Sequence, residues 1–155
     1  MVQVPSKSLT LEEFLRLPET KPASEYIEEQ ILQKPMPQGK HSRIQGELLA
    51  AINAVVKPER VACAFPELRC TYPSRSHPAD VYGGRSTVPD IAVFTWSRIL
   101  CDDSGEVANA FSLAPDWTIE ILSPDQSHTR VTKNIIDLIG NSIDTLQKRF
   151  LLSRL

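Results

Sequence analysis

In the stretch Val88-Pro89-Asp90-Ile91-Ala92-Val93-Phe94, an acid follows a proline at the mouth of an otherwise apolar, β-branched run. Such a run reads as a buried strand. An unpaired buried carboxylate is costly, so a cation or a set of hydrogen-bond donors is expected to meet Asp90. The run Asp116-Trp117-Thr118-Ile119-Glu120-Ile121-Leu122 repeats the anomaly: Glu120 stands between two isoleucines, and Ser123-Pro124 ends the strand. Two apolar strands with one acid each predict a shared site. Lys133 lies in a segment that reads as the next helix, close enough in chain order to point back at the strand end carrying Glu120. An Asp, a Glu and a Lys meeting in this way are the parts of a metal-dependent hydrolase.

With 155 residues, 41% hydrophobic and 23% charged, the chain is expected to form one domain, 1–155, with its own core. A formal net charge of -2 gives no bulk attraction to nucleic acid or an anionic membrane, so any phosphate-binding surface has to be local. The three cysteines, Cys63, Cys70 and Cys101, are odd in number and form no C-x-x-C pair. They argue against a disulfide framework and a thiolate zinc site, and fit a reducing cytoplasm. No apolar run approaches the ~20 residues that cross a bilayer, and no apolar signal core opens the chain. The expectation is a cytoplasmic protein with no membrane association.

Thr10-Leu11-Glu12-Glu13 offers a capping box to a short helix over about Leu11 to Leu17, closed by Pro18. Glu25 to Lys34 reads as a hairpin, although its turn lacks the Gly or Asn that tight turns prefer. After the breaker Pro35-Met36-Pro37-Gln38-Gly39, the spacing of Ile44, Leu48, Ile52 and Val55 or Val56 predicts a helix from His41 to Val56 that buries this stripe on a sheet. Arg60 to Tyr72 reads as one strand bent near Pro66 and paired with the strand from Val88. Pro73 to Thr87 reads as a long excursion, and Trp96 to Pro115 as a connection turning at Asp102-Asp103-Ser104-Gly105. Ser127 caps a predicted helix carrying Ile135, Ile136, Ile139, Ile143, Leu146 and Phe150, with Gly140-Asn141 as a candidate break.

The order helix, strand, strand with Pro89-Asp90, strand with Glu120, helix resembles the core of the PD-(D/E)XK nuclease superfamily. Several stretches resemble more narrowly the Uma family of restriction-endonuclease-like proteins. They are Leu9-Thr10-Leu11-Glu12-Glu13-Phe14-Leu15, Glu25-Tyr26-Ile27, His41 at the head of the long helix, the Val88 to Val93 strand, and Ala114-Pro115-Asp116-Trp117-Thr118-Ile119-Glu120-Ile121-Leu122-Ser123-Pro124. The resemblance covers about residues 9–134. It implies an α/β (α+β) domain with a mixed central sheet flanked by helices, and an endonuclease hydrolysing phosphodiester bonds of nucleic acid, DNA in the first instance. Mg²⁺, with Mn²⁺ as the alternative, would be held by Asp90, Glu120 and the Ile121 main-chain carbonyl. The superfamily's E-x-K lysine is absent, because Leu122 stands two after Glu120; the resemblance moves that role to Lys133.

The chain departs from the family at Glu28-Glu29-Gln30, where an Asp-Gly-Glu turn is usual, and after Asn134, where a further strand is usual. Leu138 to Leu155 reads instead as an amphipathic helix. The C-terminal strand is therefore expected to be missing, leaving a sheet edge open to pairing with a second copy in a homodimer. Glu67, His41 and Glu47 are auxiliary candidates for a third ligand or a water-positioning group, although the ordinary surface residue is the favoured reading of each. Asp90 alone would also fit a turn cap after Pro89, and Lys133 a solvated lysine. Arg69, Arg130 and Arg85 are candidates for phosphate contacts. The rival expectations are a catalytically inactive nucleic-acid-binding or scaffold domain and a truncated remnant.

Overall fold

The structure, a computed structural model, describes residues 9–27, 29–73, 84–122 and 148–152. Thr10 caps the first helix, α1 (Leu11–Leu15), in the expected reciprocal box: its hydroxyl accepts from Glu13 N–H at 3.1 Å, and the Glu13 carboxylate accepts from Thr10 N–H at 2.9 Å. The helix is shorter than its apolar pattern suggested, because Arg16 already serves as C-cap. The hairpin β1 (Ser24–Ile27) and β2 (Gln30–Gln33) follows. Its turn works without glycine because Glu29 itself takes a left-handed φ of 61°.

The long helix α2 (Gly39–Val56) is present. Leu48, Leu49, Ile52 and Val56 pack on a core of Ala62, Ala64, Ile91, Val93 and Ile119. Val55 is a correction to the predicted stripe: it is 73% exposed, and its neighbour Val56 takes the inward place. Farther along the chain come β3 (Ala62–Pro66), β4 (Cys70–Pro73), β5 (Gly84–Thr87), β6 (Ile91–Thr95), a 3₁₀ turn (Trp96–Arg98), β7 (Trp117–Ile121) and β8 (Lys148–Leu152).

These strands form two four-stranded sheets, in the orders β2-β1-β5-β4 and β3-β6-β7-β8. The expected mixed sheet is the second of them: β3, β6 and β7 pair antiparallel, and β8 pairs parallel to β7. Strand β6 is apolar from Ile91 to Phe94 because both its faces are covered there. Ile91 and Val93 face α2, while Ala92 and Phe94 join Cys70 and Phe111 in a second core edged by Phe65. The cysteines are all free. No helix among the described residues is long and apolar enough to cross a membrane.

The strand bent near Pro66 is β3 and β4 together, and its partner from Gly84 is β5 and β6. Pro66 lies opposite Ile91, and Cys70 opposite Thr87, so the register is unchanged across a break that omits residues 67–69 on one side and 88–90 on the other. Gly84 to Thr87 is thus a strand rather than part of an excursion. Its polar Arg85, Ser86 and Thr87 are all buried, which hid it from a hydrophobic pattern. The expected open edge at β7 is also corrected, since β8 pairs along it from Trp117 to Ile121. Phe150-Leu151-Leu152 is too short an apolar run for its period to separate helix from strand. The predicted helix from Ser127 lies largely outside the described residues.

Leu48→Ala is expected to cost about 2 kcal/mol, the low end of the range for a leucine truncation because the side chain is only partly buried. Val55→Ala should stay within about 0.5 kcal/mol. Urea denaturation of the two variants checks the assignment, and equal losses would place the buried stripe elsewhere.

Candidate active site at the break between the sheets

Pro89 has no N–H to give to a ladder, and Glu67, opposite Asp90 in the register, adopts a left-handed φ of 46°. The main-chain groups released at this break find other partners. Val88 N–H donates to the Glu25 carboxylate at 2.7 Å, and Val88 O accepts from Lys34 Nζ at 2.8 Å. Asp90 O accepts from Gln45 Nε2 at 2.8 Å and from Glu67 N–H at 3.3 Å. The break is therefore a built feature of the fold, with its polar groups satisfied by side chains from three other elements.

The Asp90 side chain sits within this frame at 6% exposure. Its Oδ2 accepts from Ile121 N–H at 2.7 Å and lies 3.1 Å from His41 Nε2, while its Oδ1 accepts from Lys34 Nζ at 2.7 Å. Glu120, on the neighbouring strand β7, brings Oε2 to 3.6 Å from the same Nζ. The two acids thus converge on one ammonium, as the two strand runs predicted. Burial alone would lower the Lys34 pKa, but the carboxylates of Glu120, Asp90 and Glu25 outweigh it and raise it above the ordinary lysine value. Lys34 is therefore charged at any physiological pH.

His41 and Gln45 reach Asp90 together because residues four apart share one face of a helix, and α2 presents that face at its N-terminal end, where the helix dipole favours an anion. His41 Nδ1 is buried with no partner among the described residues. A cavity of about 620 Å³ opens beside the cluster, its wall including Lys34, His41, Glu67, Asp90, Glu120 and Ile121. Carboxylate oxygens of two acids already gathered on a cation are oxygen donors of the kind a hard divalent ion takes. Among the described residues no three of His, Cys, Asp and Glu form a ready cage, and Mg²⁺ needs none, since it keeps several waters and takes one or two carboxylates.

The remaining sequence candidates separate clearly. Glu67 lies at the cavity wall, as does Arg69, but the Arg69 guanidinium is already engaged. It holds both oxygens of Glu19, at 3.1 and 2.9 Å, and also donates to Ser86 Oγ and Ser24 O. A phosphate would have to compete for those donors. Glu47 is on the solvent face of α2, paired with Arg43 at 3.8 Å, and does not line the cavity. Arg85 is buried in β5. Lys133 and Arg130 lie outside the described residues. Sequence reasoning missed Lys34 and Gln45. The spacing from His41 was a signal for Gln45, whereas a lysine ending a hairpin strand before a proline gives almost none.

A family model named Uma2 and described as "Putative restriction endonuclease" matches residues 11–136. Among solved structures, a protein of Anabaena variabilis described as "a putative nuclease belonging to DUF820" is 60% identical. The match covers 92% of this chain and 72% of that one, with a TM-score of 0.76. No curated protein matches the chain.

Asp90→Ala is expected to cost about 3 to 5 kcal/mol, because it strands the buried Lys34 charge and the Ile121 N–H together. His41→Ala, which removes a single contact, should cost about 1 kcal/mol. Chemical denaturation of both variants tests this ordering, and an Asp90→Ala loss no larger than that of His41→Ala would contradict it.

Proposed function

The chain belongs to the Uma2 family, described as putative restriction endonucleases, and on that premise we propose that the cavity beside Asp90 and Glu120 is the active site of a metal-dependent endonuclease acting on DNA. The observation that carries this reading is the convergence of two carboxylates from adjacent strands on a single cation at a cavity wall. Asp90, Glu120 and the Ile121 main-chain carbonyl would hold Mg²⁺ or Mn²⁺. When bound, the ion supplies an activated water and stabilises charge on the phosphate oxygens.

The chain's own residues do the positioning. Ile121 N–H and His41 fix Oδ2 of Asp90, so its other oxygen is the one turned to a cation. Glu120 is carried on the strand next to it, which sets the spacing of the two acids through the sheet ladder rather than through a loop. Glu67, held in a costly backbone conformation at the cavity wall, is the auxiliary acid of this reading. Lys133 keeps the role of offsetting charge that develops on the phosphate, and Arg69 and Arg130 remain candidates for phosphate contacts.

The rival reading, an inactive nucleic-acid-binding or scaffold domain, draws on the same ion pairs: Lys34 would neutralise the acids permanently. Calorimetric titration and a plasmid-nicking assay separate the two. The endonuclease reading expects Mn²⁺ binding that Asp90→Asn weakens at least tenfold. It also expects nicking that needs Mg²⁺ or Mn²⁺ and falls about a hundredfold in Glu120→Gln, the scale set by the loss of one electrostatic group in a preorganised site. Wild-type protein that binds neither ion would remove it.

A further inference from the structure

The position of Lys34 is fixed at both ends. Its main-chain N–H donates to Ala23 O at 2.9 Å across the hairpin, and its ammonium donates to Val88 O at 2.8 Å and Asp90 Oδ1 at 2.7 Å, with Glu120 Oε2 at 3.6 Å. An ammonium has three donors, and three oxygens lie around this one. Asp90 Oδ2 is already occupied by Ile121 N–H and His41. A divalent cation approaching Asp90 therefore meets the carboxylate at Oδ1, the oxygen that Lys34 holds.

We propose that Lys34 is a positioning residue that gathers Asp90 and Glu120 at one point and competes with the divalent cation for Asp90 Oδ1. It acts in two opposed directions. Like charges on one carboxylate oxygen repel strongly in a site this enclosed, so Lys34 weakens metal binding. Without Lys34, Asp90 and Glu120 would lose a cation that both approach, so it also stabilises the metal-free protein. When the metal takes Oδ1, Lys34 can keep its bond to Val88 O and turn its charge towards the cavity that it lines. There it faces the position of a phosphate. The identity of that phosphate rests on the endonuclease reading, whereas the competition for Oδ1 does not.

The test uses the full chain, with Mn²⁺ alone as the probe. Mn²⁺ affinity and the melting temperature with and without Mn²⁺ are measured for wild type, Lys34→Met, Lys34→Gln and Lys34→Arg. A control is Lys57→Met, an exposed lysine at the far end of α2. Lys34→Met is expected to bind Mn²⁺ severalfold more tightly than wild type, to melt lower without metal, and to gain more from saturating Mn²⁺. Lys34→Gln, which keeps a donor but loses the charge, should bind tightly in the same way and serves if Lys34→Met does not fold. Lys34→Arg should return towards wild type, and Lys57→Met should match it.

A structural role alone would lower the melting temperature without tightening Mn²⁺ binding. If both neutral variants bind Mn²⁺ no more tightly than wild type, or if no form binds it, the proposal is overturned. If wild type binds Mn²⁺ but nicks neither DNA nor RNA, the endonuclease reading fails, and the affinities still decide the role of Lys34.

Discussion

The buried charge of Asp90 is the constraint on which the rest of the structure depends. A carboxylate at 6% exposure persists only if its surroundings replace the water it has lost. Three elements converge on the β5–β6 junction to do this: the β2 end gives Lys34, the first turn of α2 gives His41, and β7 gives the Ile121 N–H. Removing any of these would leave the charge undercompensated, so the relative placement of hairpin, helix and sheet is coupled through one side chain. Replacing such a cluster by apolar residues is often neutral or stabilising. Its presence therefore argues for a use other than stability.

The break in the ladder is the geometric partner of that charge. A continuous ribbon from β3–β4 against β5–β6 would hide residues 67–69 and 88–90 in hydrogen bonding. Interrupting it without changing register lets the same two chain segments serve two sheets while freeing Val88 O and Asp90 O to be read by Lys34 and Gln45. Helix α2 is held in the same frame at both ends. Gln45 bonds Asp90 O near its start, and towards its end Asn53 exchanges two hydrogen bonds of 2.9 Å with the backbone of Ala64 on β3. Because β3 is an edge strand, Asn53 also covers ladder groups that would otherwise stand open.

How far the sequence could be read follows from which signals are local. Asp90 and Glu120 stood out because each breaks an apolar run, and the helix over Gly39–Val56 because its period spans several turns. The capping box at Thr10 and Glu13 was legible for the same reason, being complete within four residues. Strand β5 was missed because its buried residues, Arg85, Ser86 and Thr87, are polar; Ser86 for one is met by Arg69 and Thr71, which are distant in sequence. Val55 and Val56 fall on either side of the line through Ile52, about 60° and 40° from it on the helix, so periodicity alone does not choose between them without knowing where the sheet lies. Lys34 was invisible because its importance comes from Val88, Asp90 and Glu120, more than fifty residues away.

The position of Lys34 also bears on the lysine missing from the strand. Leu122, two residues after Glu120, lines the same cavity. A lysine there would have put a positive charge on that wall of the cavity, but the Leu122 side chain is apolar. A positive charge reaches Glu120 from the hairpin side, at 3.6 Å. What the site's electrostatics require is a cation at a point in space, and the chain can deliver it from any element whose backbone is fixed well enough. The end of β2 qualifies, because Lys34 is pinned to Ala23 through its N–H and to Val88 and Asp90 through its ammonium.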